Sequence, residues 1–159
     1  MKPLPTTLES QSLIQYQDCD PFNHLNNARY IDLIMAVRTQ QILEHYGINM
    51  ASMAFEQGIG WVTAQTQISY LSPATWMETV TIETRLIKHS NYSVWVEGLM
   101  WNAPKDQLKA IMWSKLVHYN LKTLKSHPHN PHLMELFEKI KCPHISTTSF
   151  DERLAFFKN

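Results

Sequence analysis

The amino-acid sequence predicts an α+β fold, an antiparallel sheet of about five strands wrapped around one long buried helix, with a short helix near the C-terminus. Three observations predict it. Residues 27–46 carry apolar side chains at helical spacing and stop at Gly47. Four later segments, 61–71, 78–88, 91–101 and 108–120, read as strands with period-two alternation or two apolar faces. The links between those segments are of hairpin length, which favours antiparallel neighbours.

Each element has its own signature. Residues 8–16 (LESQSLIQY) read as a first strand, and the loop DCDPFN follows, its Asp, Pro and Asn being turn formers. In the helix, Ile31, Ile34, Met35, Ile42 and Leu43 recur at helical spacing, while Tyr30, Leu33, Ala36 and Val37 fill other faces. A helix apolar nearly all round belongs in an interior. In 61–71 the alternation places Val62, Ala64, Thr66, Ile68 and Tyr70 on one face. Residues 78–88 place Val80, Ile82 and Leu86 together; 91–101 set Tyr92, Val94, Val96 and Met100 against Trp95, Leu99 and Trp101; 108–120 oppose Met112 and Leu116 to Ile111, Trp113, Val117 and Tyr119. Ser72–Ala74, His89–Asn91 and Asn102–Asp106 are the links. Asn130 before Pro131 is a helix start, Asn as cap and Pro in the first turn. Leu133, Leu136, Phe137 and Ile140 then stripe a short amphipathic helix over 131–140. One apolar face of the last strands covers the long helix. The other needs a cover, for which a second subunit is the expected solution. The alternative is that the C-terminal segment, with Phe150, Leu154, Phe156 and Phe157, folds back over it.

The chain has 159 residues, 44% hydrophobic and 18% charged, with formal net charge +0. That length suits one domain over 1–159, with a core of about 8–140 and a tail over 141–159. Zero net charge offers no general attraction to nucleic acid or anionic membrane. The two cysteines, Cys19 and Cys142, form no disulfide framework, no stretch approaches the ~18 apolar residues of a membrane span, and the N-terminus lacks a signal-peptide core. A soluble cytoplasmic protein is the expectation.

The chemistry concentrates in Asp18-Cys19-Asp20-Pro21-Phe22-Asn23-His24-Leu25-Asn26-Asn27-Ala28-Arg29-Tyr30. Two carboxylates, an imidazole and two amides precede a helix whose N-terminus presents unpaired N–H groups and the positive end of its dipole. Such a terminus can hold an oxygen on which negative charge develops. A carboxylate just before it can activate water or attack a carbonyl itself. A histidine four residues on can orient either partner. Taken singly, the same residues are ordinary: Asn26 or Asn27 a helix cap, Asp18 and Asp20 turn formers, His24 a loop histidine.

The pattern D-x-D-x-x-x-H-x-N-N-x-x-Y, followed by a long helix and four strands, resembles the thioesterase branch of the hotdog superfamily, the group that includes 4-hydroxybenzoyl-CoA thioesterase and related bacterial acyl-CoA thioesterases. The resemblance covers about residues 8–140 and returns in Tyr70-Leu71-Ser72-Pro73-Ala74 and ETVTIET, matching a second-to-third-strand hairpin. It implies Asp20 as the catalytic carboxylate, nucleophile or general base, and the Asn27 N–H as the donor that polarises the thioester carbonyl. It implies His24 as a positioning histidine, Asn26 and Asn27 as the paired amides and Tyr30 as the aromatic one turn into the helix. The implied site lies at a subunit interface, so a homodimer or homotetramer is expected. Many relatives carry Gly before the histidine; here it is Asn23, a residue that tolerates the left-handed region. The reading is hydrolysis of an acyl-CoA thioester without a cofactor; the alternatives are an acyl-carrier-protein thioesterase and a non-catalytic acyl-binding module.

Other features weigh less. Trp61, after Gly58 and Gly60, is a candidate to line an acyl pocket across the dimer, or an ordinary core residue. His127, His129, His132 and His144 cluster without a recognised metal-ligand spacing, so no metal is expected. Lys88, His89, Lys115, Lys122 and Lys125 are candidates for a CoA phosphate patch, with a solvated surface as the plainer reading.

Overall fold

The structure, a computed structural model, describes residues 2–145 and 148–158; Met1 and, within the predicted tail, Ser146, Thr147 and Asn159 lie outside the described residues. Strand β1 (Thr7–Leu13) leads through a 3-10 turn at Tyr16–Asp18 into helix α1 (Asn27–Tyr46). A short helix α2 (Met50–Ser52), continued by a wide turn over Met53–Gln57, precedes β2 (Ile59–Tyr70), β3 (Thr79–His89), β4 (Ser93–Asn102) and β5 (Leu108–Asn120). A short β6 (Lys125–Ser126), α3 (Pro131–Ile140) and α4 (Phe150–Lys158) complete the chain. The sheet runs β1-β3-β4-β5-β2, antiparallel throughout, with β6 on β5. This is the hotdog arrangement the resemblance implied.

The helix boundaries follow local chemistry. The Asn26 side chain accepts from the Ala28 N–H at the start of α1, and Gly47 ends it in the left-handed region at φ 70°. The Asn130 side chain caps α3 by accepting from the Leu133 N–H, with Pro131 in the first turn. Burial of α1 is narrower than its composition predicted. Tyr30, Ile34, Arg38, Gln41 and Ile42 form the buried stripe, while Ile31, Leu33, Met35 and Val37 are half-buried and Leu43 exposed. In a single chain the sheet covers one face of the helix, not its circumference.

Helix and sheet meet closely at Gly98. A Cβ there would overlap the Ile34 Cγ2 methyl. Gly98 lies between Val96 and Met100 on the inward face of β4, and all three interior strands turn apolar side chains to this side, including Ile82, Val96, Met100 and Met112. A missing side chain in the strand lets the helix sink to this depth.

Three expectations need correction. The Ser72–Ala74 link is not a hairpin: β2 and β3 are not neighbours, because β2 pairs with β5 at one edge while β3 lies between β1 and β4. Residues 71–78 instead form a strap across the start of α1, where the Leu25 N–H donates to the Ala74 carbonyl (2.7 Å) and the Trp76 N–H to the Asn23 carbonyl (3.0 Å). Short length permitted a hairpin, but the strap finds its hydrogen bonds in the helix-start loop. Second, the register of β2 shifts between Thr63 and Gln65, so Ala64 is an extra residue and the alternation inverts there. Trp61 and Thr63 line the interior on one side of the bulge and Ile68 packs into it on the other, while Val62 is 37% exposed.

Third, the outer face of the sheet is covered from within the chain. Ile87, Leu99, Ile111 and Trp113 pack with Ile145 and Phe150, flanked by Leu154 and Phe157 of α4. A second subunit is therefore not needed there, and the alternative cover is the one observed. The contact is also ionic. Glu97, 0% exposed, receives a two-pronged hydrogen bond from Arg153 (Nε to Oε2, 2.8 Å; Nη2 to Oε1, 2.9 Å), one from Arg85 Nη1 (3.2 Å) and one from the Trp113 indole (2.8 Å). A buried carboxylate persists where its oxygens are this fully engaged.

Two outcomes follow. Gly98→Val lowers stability by about 1–3 kcal/mol, the usual cost of overpacking, as read from the urea midpoint; Ile34→Ala in the same chain recovers part of the loss if the two residues meet directly. Arg153→Ala frees α4: amide exchange over 150–158 accelerates while β4 and β5 stay protected, and uniform acceleration along the chain would contradict the local role.

Candidate active site

The loop before α1 is a small closed hairpin. The Asp20 N–H donates to the His24 carbonyl (2.8 Å) and the Asn23 N–H to the Asp20 carbonyl (3.0 Å), with a bridge between Cys19 and Leu25. Asn23 takes φ 63°, so the turn keeps its left-handed residue without glycine. The His24–Thr75 bridge and the two bonds to the strap hold the loop against residues 71–78.

Inside it, Asp20 Oδ1 accepts from the Phe22 N–H (2.8 Å) and the His24 N–H (3.1 Å). These bonds aim the carboxylate and leave Oδ2 without a hydrogen bond among the described residues. Asp20 is half-buried and joins no ion pair among them. Asp18 differs: it faces Arg29 Nε at 3.7 Å, and its carbonyl accepts from the Asn26 N–H (2.9 Å). Burial first and then the Asp18 and Asp20 charges push the Cys19 thiol pKa up, and its Sγ donates to the Gln15 carbonyl (3.4 Å).

At the helix start Asn26 spends its side chain on the Ala28 N–H and its carbonyl on the Arg29 N–H (2.8 Å). The Asn27 N–H, at the first helical position, has no intrahelical acceptor and no hydrogen-bond partner among the described residues. The Asn27 carbonyl accepts from the Tyr70 hydroxyl (2.9 Å). Tyr30, 2% exposed, accepts the Ala74 N–H on its hydroxyl (3.1 Å) and meets Tyr70 edge-on at 5.1 Å. Its role in the free chain is to anchor the strap, and burial pushes its phenol pKa up.

Asp20, His24, Asn27 and Tyr30 thus line one open pocket with Leu25 and the strap residues Leu71, Ser72 and Pro73. Tyr70 also lines the pocket; the sequence marks it only as part of the Tyr70–Ala74 stretch, not as a site residue. Trp61 is not in this pocket. It lines a second, apolar cavity, and its indole donates to His129 Nε2 (3.0 Å). That histidine bonds the Ser90 carbonyl through Nδ1 (2.9 Å), and burial lowers its pKa to about 4. Among the described residues no group of three or more His, Cys, Asp or Glu is placed to hold a metal ion, and no helix is long and apolar enough to cross a membrane. Lys88 lies over the Trp95 ring, on the outer face.

The sequence profile described as the thioesterase-like superfamily matches residues 14–137. No curated protein sequence matches the chain. Among solved structures, DHNA-CoA thioesterase from Staphylococcus aureus is similar at TM-score 0.78 and 18% identity, covering 84% of this chain and 90% of that one. A putative oleoyl thioesterase from Lactobacillus plantarum aligns at TM-score 0.76 and 23% identity, over 89% of this chain and 54% of that one. The probable thioesterase YbaW from Escherichia coli aligns at TM-score 0.69 and 22% identity, over 85% and 99%.

Tyr30→Phe removes the acceptor from the buried Ala74 N–H. A loss of about 1–3 kcal/mol is expected in thermal or urea unfolding, the cost of an unsatisfied buried donor; an unchanged midpoint would show that the strap is held elsewhere.

Proposed function

This chain belongs to the thioesterase-like superfamily, and on that premise we propose that it hydrolyses an acyl-CoA thioester to the free acid and the CoA thiol. The observation that carries the reading is the convergence of the Asp20 carboxylate and the free N–H end of α1 on one pocket. In the proposed reaction the thioester carbonyl oxygen lies on the Asn27 N–H, where the helix dipole stabilises the charge that develops. Asp20 either deprotonates a water that attacks the carbonyl carbon or attacks it directly, giving an acyl-aspartate that water then opens. The carbon–sulfur bond breaks, and the thiolate leaves to take a proton. His24, half-buried beside Asp20, positions the water or the carboxylate. Tyr30 supports the floor through the strap.

The proposed assembly is a homo-oligomer in the cytoplasm. The outer edge of β2 has no neighbour among the described strands, and an unpaired edge is a ready pairing surface. Two-fold pairing about the middle of β2 brings the Tyr70 end of one copy against the Ile59–Trp61 end of the other. In that arrangement Trp61 serves the acyl group of the neighbouring site.

The test is thiol release from a panel of acyl-CoA esters of varied chain length, with Asp20→Asn beside the wild type. The variant should lose at least ~100-fold in kcat/KM, the lower scale for removing a general base or nucleophile. Full activity in Asp20→Asn would refute the role of that residue, and no hydrolysis across the panel would refute the reaction.

A further inference from the structure

The second cavity contains a group that the proposed hydrolysis does not use. It lies between the C-terminal half of α1, the inner face of the sheet and α3, and has a cavity volume of about 210 Å³, its walls including Ile42, Leu86, Val94, Val96, Phe137 and Ile140. Arg38 stands in the same wall and is 8% exposed. Its Nη1 donates to Thr84 Oγ1 (3.0 Å), and the guanidinium makes no other side-chain hydrogen bond and no ion pair among the described residues. Thr84 in turn donates to Gln41 Oε1 (2.5 Å), whose amide nitrogen is occupied by Ser10 Oγ (3.0 Å) and the Ile82 carbonyl (3.2 Å). The neighbouring polar groups are thus spent on one another, and most of the Arg38 donor fan has no protein acceptor.

The outer face of the sheet shows the contrast. Arg85 and Arg153 are also largely buried there, and each meets a carboxylate. Arg38 has none. Burial lowers its pKa to about 10, so it stays charged at neutral pH. Tyr46, also in the wall, is no counter-ion: burial raises its pKa, and its hydroxyl is tied to the Pro5 carbonyl. A buried charge without a partner is costly and attracts an anion, and a planar guanidinium matches a carboxylate two-pronged.

We propose that this cavity binds a carboxylic acid with an apolar body, its carboxylate on Arg38 and its body against the aliphatic and Phe137 walls. The site is distinct from the Asp20 pocket of the same chain: no residue lines both, and Arg38 lies about 16 Å along the α1 axis from Asn27. Two sources supply the chemistry, a free fatty acid and the far end of a dicarboxylic acyl thioester.

Calorimetric titration of the full chain with decanoate and with 1-decanol reads the first source by binding alone, so it stands whether or not the hydrolysis reading does. Decanoate should bind about 10- to 100-fold more tightly, the scale of a charge-assisted hydrogen bond. Hydrolysis of the CoA half-thioester of decanedioic acid against decanoyl-CoA reads the second source. Arg38→Met, checked for folding by circular dichroism, should erase the preference for the charged member in whichever arm shows it. A charge preference in neither arm of the wild type overturns the proposal without any variant, as does one that Arg38→Met leaves intact.

Discussion

The depth to which α1 sinks into the sheet at Gly98 governs the rest of the molecule. Ile34 occupies the space a side chain would take, and the helix axis is held at that distance. From this contact the N-terminal turn of α1 projects toward the strap, and the C-terminal half spans the cavity roofed by α3. A shallower helix would lose the Tyr30 hydroxyl's reach to Ala74, and with it the bonds that hold the Asp20 loop. Close packing turns a local steric fact into global geometry, because interiors do not deform continuously.

The candidate site is therefore mostly backbone. Two N–H groups aim the Asp20 carboxylate, a third remains free at the helix start, and the strap bonds the loop through main-chain partners. Such positioning is rigid and requires no reorganisation when charge develops. It also explains why Asn23 can replace glycine: what matters is the φ of 63°, which Asn reaches at low cost.

The two faces of the sheet treat buried charge differently. Under α4 the Glu97 carboxylate is surrounded by donors and works as a staple. On the inner face a lone guanidinium borders apolar walls. The first carboxylate takes its donors from the chain itself, whereas the second charge pairs with no carboxylate among the described residues.

Local sequence determined much of this. The caps Asn26, Gly47 and Asn130 bounded α1 and α3 because capping depends on nearby backbone groups. The grouping of Asp20, His24, Asn27 and Tyr30 was legible because one loop and one helical turn carry all four. Tertiary structure alone decided the rest. The bulge at Ala64 inverted the faces of β2, since register depends on β5 and not on alternation within the strand. The 71–78 link became a strap because its hydrogen-bond partners lie fifty residues away in the chain. The tail, not a second copy, closed the outer face, because Arg153 finds Glu97 only once β4 is in place. Arg38 carries no signal in the sequence; only the folded chain places it on the buried stripe with Tyr30, Ile34 and Ile42, where no carboxylate among the described residues pairs with it.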